Sequence, residues 1–241
     1  MTIIQLLRRH EETAKNPKTG KKLDQPTPKG IANAYQKGMK LIQLFPDAHY
    51  QGIYSNKDRT YITVAQHLLG AGITNIDEYM TFDPLLNSAG TMVPKAVLEA
   101  VRNIEDPYEL NQKIFELSGP EINQAGANHL KSAIQGILKH IELGANNLKT
   151  NIDIRGTHGP SIDVSYILLA RDHEDTTPVT FEDQLKYTEM LQPGTGLNLF
   201  AKKVGGEYKV RFGGVKTPKA IVQNADFKEF PLAQLVEKYV Q

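Results

Sequence analysis

Thr2-Ile3-Ile4-Gln5-Leu6-Leu7-Arg8-Arg9-His10-Glu11-Glu12-Thr13 is the stretch on which the fold turns. Thr2 to Leu7 is a short apolar run that empties into charged residues, the pattern of a buried strand with a polar loop at its carboxyl end. That end is where open α/β sheets build their sites. Lys18 to Pro28 reads as a Lys/Pro/Gly-rich loop, and Pro28 suits the first turn of a helix whose apolar face is Ile31, Ala34, Tyr35, Met39 and Ile42. Tyr50 to Ser55 forms a second strand, and Asp58 to Leu69 a second helix stopped by Gly70 and Gly72. Strand, helix, strand, helix is the order of a parallel sheet.

A strand over Ile76 to Phe82 ends at Asp83-Pro84, and the periodicity is then helical to about residue 145. Ile122, Ala125, Leu130, Ile134, Ile137, Leu138 and Ile141 mark one long amphipathic helix closed by Gly144. The stretch around 84–145 is a helical insertion suited to a substrate-selecting cap. Ile152 to Thr157 returns as a strand and Ser161 to Ala170 as a helix. Leu197 to Lys203 and Glu207 to Phe212 form a hairpin around Gly205-Gly206. The expected architecture is a single α/β domain over 1–241: a three-layer sandwich with a mostly parallel central sheet, helices on both faces and a C-terminal β-hairpin.

Composition narrows the function. With 40% hydrophobic and 23% charged residues the chain can bury an ordinary core. Lys+Arg 28 against Asp+Glu 27 gives a formal charge of +1, so no global field draws nucleic acid or an acidic membrane surface. An anion site must be local. The absence of cysteine excludes disulfides, thiolate metal sites and cysteine nucleophiles. Met1 to Leu7 is short for a signal peptide and no apolar run has transmembrane length, so a cytoplasmic protein is expected.

Arg9, His10, Glu12, Thr13 and Asn16 resemble the signature of the histidine phosphatase superfamily, in which a strand ends in Arg-His-Gly. Thr27-Pro28-Lys29-Gly30 with Ala34 resembles that family's Thr-Pro-x-Gly-x-x-x-Ala helix start. Ile53 to Thr60, with Thr63 and Ala65, resembles its strand, loop and helix ending in Arg-Thr. Gly156-Thr157-His158-Gly159 resembles its second His-Gly after a strand. The resemblance covers most of residues 2–65 and 150–166. It implies phosphomonoester hydrolysis through a phosphohistidine on His10, with no cofactor and no metal. The substrate would be a small phosphorylated molecule or a phosphoprotein, and a homodimer is left open. A phosphoglycerate mutase-like phosphotransferase and a catalytically silent phospho-ligand binder are the alternatives.

The residue types suit that chemistry on their own terms. Planar guanidiniums match the oxygens of a transferring phosphoryl group, a role for Arg9 and Arg59. One imidazole can attack phosphorus while a second stabilises charge, which assigns His10 and His158. Thr13 and Asn16 would donate neutral hydrogen bonds. Asp83, after a strand end, is the expected proton donor, with an Asp-Pro turn role as its rival and Asp163 as a second candidate. Glu11 stands where the family has Gly, and either turns outward or turns inward to hold an arginine. His49, His67, His129 and His140 read as core-edge or surface residues. Asp172 to Asp175 reads as a charged loop, Pro193 to Gly196 as a turn, and Lys18 to Lys22 as a solvated basic loop that would guide an anion.

Overall fold

The computed structural model describes every residue except 88, 144–149, 172–176, 188–195 and 216–227. Strand β1 (Thr2–Arg9) lies at the centre of a seven-stranded sheet. On one side it pairs in parallel with β6 (Thr150–Thr157), which is followed by β4 (His49–Tyr54) and β5 (Met80–Phe82), also parallel. On the other side β7 (Gly196–Val204), β8 (Glu207–Val215) and β9 (Lys228–Pro231) extend the sheet antiparallel.

The alternation of β1 explains why both faces are covered. Ile3 and Leu7 enter a core with Leu130, Ile134 and Ile137 of α5 (Pro107–Glu142) and Ile162 of α6 (Gly159–Ala170). Ile4 and Leu6 enter the opposite core with Leu41 of α1 (Pro28–Leu44) and Val64 and Leu68 of α2 (Asp58–Gly70). Two apolar faces on one strand require helices on both sides. Val204 and Glu207 flank a two-residue hairpin turn in which Gly205 and Gly206 both have positive φ, +60° and +94°.

Several boundaries differ from the sequence expectation. Part of the Lys18 to Pro28 loop is β3 (Lys22–Pro26), which forms a separate hairpin with β2 (Thr13–Lys15). The expected strand over Ile76 to Phe82 begins as a 3-10 turn, Ile76–Tyr79, and only Met80–Phe82 pairs. The helical region holds two short helices, α3 (Ala89–Met92) and α4 (Lys95–Ala100), before α5. Helix α5 is kinked at Ser118, two residues before Pro120, whose ring and missing N–H bar a regular turn. Its second half forms part of a layer of the sandwich.

Tyr35 and Met39, expected in the buried face of α1, are exposed. Gly30, Ala34, Gly38 and Leu41 face inward instead, because α1 and α2 meet backbone to backbone. A Cβ on Gly38 would lie 2.1 Å from the His67 carbonyl oxygen, and one on Gly70 would lie 2.0 Å from that of Tyr35. Small residues, not large ones, mark this interface. Gly70→Ala should therefore lower thermal stability by at least the ~1–3 kcal/mol typical of overpacking. Gly119→Ala, where a Cβ meets nothing within 4 Å, is the control, and equal melting temperatures for both variants would contradict the close helix contact.

Candidate active site

The parallel register of β1 and β6 brings two distant segments to one point. Arg9 lies opposite Thr157, and the His10 N–H donates to the Thr157 carbonyl at 3.0 Å. His10 and His158 leave the two strands side by side, with ring centroids 5.4 Å apart. His158 is the N-cap of α6, and Arg59 stands in the first turn of α2, just beyond β4. Two helix N-termini, each carrying partial positive charge, thus start beside the histidines.

Strand alternation separates the paired arginines. Arg8 is buried on the α1/α2 side near His67, and loss of hydration lowers its pKa to about 10. Arg9 points to the α6 side and lies across Gly159, where a Cβ would meet its Nε at 2.9 Å. Burial lowers the Arg9 pKa most, the Asp163 carboxylate opposes that, and Arg59 adds to it. Arg59 keeps a buried Nε that makes no hydrogen bond among the described residues. Its Nη1 is 3.4 Å from Asp24 Oδ1. Lys57, also close enough to act on His158, was not singled out from the sequence, although it stands in the same loop two residues before Arg59.

The tautomers follow from the partners. His10 Nδ1 is 2.7 Å from the Glu11 carbonyl oxygen, which can only accept, so Nδ1 carries the proton and Nε2 the lone pair. Burial, then the charges of Arg59 and Arg9, lower the His10 pKa to about 4 against the hydrogen bond to Glu11 and the pull of Asp24. Thr60 Oγ1 donates to the Lys57 carbonyl at 2.6 Å, and so accepts from Ser55 Oγ at 2.9 Å. Ser55 Oγ in turn accepts from His158 Nε2 at 3.2 Å. Burial first, and then His10, Arg59, His129 and Lys57, lower the His158 pKa to about 2. Both rings are neutral, and a bound anion would favour the cation at either.

Glu11 follows neither expected course. It turns inward and is 3% exposed, but its carboxylate pairs with Lys37 of α1 and not with an arginine. Its N–H donates to Thr63 Oγ1 at 3.2 Å. Gly30 makes room for it, since a Cβ there would lie 2.9 Å from Glu11 Cβ. Thr27 caps α1 through Gly30 N at 3.0 Å, and its own N–H donates to the Glu12 carbonyl at 2.7 Å. The Thr-Pro-x-Gly stretch thus holds the loop that follows His10.

The other expected site residues have defined neighbours. Both Asp83 oxygens are committed, Oδ1 to Leu85 N at 2.9 Å and Oδ2 to Ser132 Oγ at 2.5 Å, with Arg155 Nη1 3.6 Å away. Asp163 is 2% exposed, accepts from Gln184 Nε2 and faces Arg9. Thr13 pairs in β2 opposite Pro26. Asn16 Oδ1 accepts from Lys18 N at 2.8 Å and Thr19 N at 3.2 Å, which closes the turn of the same hairpin.

Among the remaining histidines, His129 is fully buried against Thr157 Oγ1 at 2.9 Å, and His140 is bound to Asp153 at 2.8 Å. Asp172 to Asp175 and Pro193 to Thr195 lie outside the described residues. Among the described residues no group of three His, Asp or Glu side chains gathers as a metal ion requires, and no helix is long and apolar enough to cross a membrane.

The fold recurs in solved structures at low sequence identity. Mycobacterial glucosyl-3-phosphoglycerate phosphatase aligns with 89% of this chain and 96% of its own, at 14% identity and a TM-score of 0.54. The complex of that phosphatase with VO3 aligns over 88% and 96% at 12% identity, with a TM-score of 0.51. A protein described as mycobacterial hydrolase 2 aligns over 99% and 97% at 13% identity, with a TM-score of 0.54. No family model and no curated protein sequence matches the chain.

Three buried histidines and the half-buried His10 set a pH dependence. Burial is the leading cause in lowering His10 to about 4, His67 to about 3, His129 to about 4 and His158 to about 2 from an ordinary 6.5. Below pH 6.5 the unfolded chain binds protons at these positions and the folded chain does not, so stability is lost as pH falls toward about 4. Urea unfolding at pH 7.5, 6.5 and 5.5 should show a falling midpoint. A flat profile would contradict the burial of neutral imidazoles.

Proposed function

We propose that this chain is a phosphohydrolase that attacks a phosphomonoester with His10, passes through a phosphohistidine and releases it to water. The observation that carries this is the convergence of His10, with its lone pair on Nε2, and His158 beside Arg9 and Arg59. An ester phosphate seated there would meet two guanidiniums and two helix N-termini, groups aimed at the oxygens on which charge gathers during transfer. His10 Nε2 would attack phosphorus while the Glu11 carbonyl holds the Nδ1 proton and steadies the ring as it becomes positive. His158 would gain a proton or share its Nε2–H as the anion arrives, since the burial that keeps it neutral is then opposed by phosphate charge.

The likeness to solved phosphatases supports the reading at the level of fold. A silent binder would be favoured by Glu11 in place of Gly together with the lack of an orthodox proton donor; the Glu11 carboxylate, however, is matched by Lys37 and so adds no uncompensated charge at the cradle. Purified protein should release p-nitrophenol from p-nitrophenyl phosphate at the same rate with and without chelator, and His10→Ala should abolish release with the fold retained. Binding of phosphate without turnover would favour the silent reading. Arg59→Ala should lower kcat and raise KM together, because the guanidinium serves both the bound phosphate and the transition state.

A further inference from the structure

The leaving oxygen needs a proton, and the two carboxylates expected to supply it are engaged, Asp83 with Leu85, Ser132 and Arg155, and Asp163 with Gln184 and Arg9. A third carboxylate stands at the cradle. Asp24 is on β3, in the hairpin pinned beside His10 by the Thr13–Pro26 pair and by the Thr27 N–H to the Glu12 carbonyl. Its Oδ1 is buried, lies 3.4 Å from Arg59 Nη1, and makes no hydrogen bond among the described residues. The side chain is nevertheless 41% exposed, so it reaches from Arg59 to solvent. It is also close enough to His10 to act on its charge.

We propose that Asp24 is the general acid and base of this site. The inference rests on the assignment of His10 as nucleophile. A phosphomonoester monoanion brings one proton on its phosphate. As its oxygens take over Arg59, that proton passes to the carboxylate that has lost its cationic partner. His10 Nε2 then forms a bond to phosphorus, the bond from phosphorus to the ester oxygen breaks, and Asp24 gives its proton to that oxygen, releasing the alcohol. In the second step water attacks the phosphohistidine and Asp24 takes a proton from it. The P–N bond breaks, its electron pair returns to Nε2, and phosphate takes the proton from Asp24 and leaves as the monoanion, so that the carboxylate returns to Arg59 for the next turnover.

The test is pre-steady-state release of the first product from two substrates, p-nitrophenyl phosphate and an alkyl phosphate such as glycerol phosphate, by wild type and by Asp24→Asn. A phenolate leaves with little help and an alkoxide does not. Asp24→Asn should keep a burst of p-nitrophenol within about tenfold of wild type in rate, followed by slow turnover, because the carboxamide cannot accept a proton from water. Release of the alkyl alcohol should fall by the ~10²–10⁴-fold typical of general acid catalysis. Asp24→Glu should restore part of the alkyl rate, which a role limited to holding Arg59 would not require.

Equal losses on both substrates would overturn the proposal and leave Asp24 as a positioning residue for Arg59. A loss confined to the alkyl ester in Asp83→Asn or Asp163→Asn, with Asp24→Asn unaffected, would move the role there. If His10→Ala leaves turnover unchanged, the nucleophile assignment fails and the Asp24 role falls with it. If His10→Ala is inactive but Asp24→Asn behaves as wild type on both esters, only the Asp24 role fails.

Discussion

The parallel pairing of β1 with β6 is the constraint on which the site depends. It puts Arg9 beside Thr157 and, one residue further, His10 beside His158, although almost 150 residues of chain separate them. Side chains alternate along a strand, so a slip by one residue would send Arg9 toward α1 and α2 and bring Arg8 into the cradle. The register is held by apolar residues on both faces of β1, Ile3 and Leu7 against α5 and α6, Ile4 and Leu6 against α1 and α2. Core packing and active-site geometry are therefore one requirement. Helix α6 can start at His158 only because β6 ends at Thr157, and the same pairing decides where β6 ends.

A chain with almost no net charge can hold an anion site because its charges are matched locally. Arg9 faces Asp163, Arg59 faces Asp24, Lys37 faces Glu11, and Arg155 lies between Asp153 and Asp83. Burying an ion without a partner is costly, and each of these four cations has a carboxylate beside it. The partners differ in accessibility. Glu11 and Asp153 are closed in, whereas Asp24 reaches solvent, so the Arg59 pair is the one a ligand can open with the least rearrangement.

The parts of this arrangement legible in the sequence are those with a local signature. The run Thr2 to Leu7 announces a doubly buried strand, and Gly205-Gly206 announces its turn. Arg9, His10, Arg59 and His158 stand out because the segments around them resemble one known signature in order and spacing. What could not be read depends on partners far away in the chain. The orientation of Glu11 is decided by Lys37 and by the missing side chain of Gly30. The commitment of Asp83 is decided by Ser132 and Arg155, and nothing around Asp83 in sequence points to them. Apolar periodicity points to large side chains on the inward face of α1, while the contact with α2 selects Gly38 and Gly70. Asp24 falls in the Lys18 to Pro28 stretch, which reads as a Lys/Pro/Gly-rich loop, and only its place in β3 brings it against Arg59.

Beneath α5 the guanidinium of Arg155 donates to Gln5 Oε1 at 2.6 Å and to Ser132 Oγ at 2.5 Å, and lies 3.3 Å from Asp153, whose other oxygen binds His140. Helix α5 can pass over it only at Gly136, where a Cβ would stand 2.1 Å from Arg155 Nη2. These residues come from β1, α5 and β6, and no one of them can be exchanged for a bulkier or apolar residue while the rest stay as they are. Divergence at this place must therefore proceed by joint replacement. In a set of related sequences a larger residue at 136 should appear only where Arg155 has also been given up, so that the pair is inherited as a unit even as the surface around it drifts.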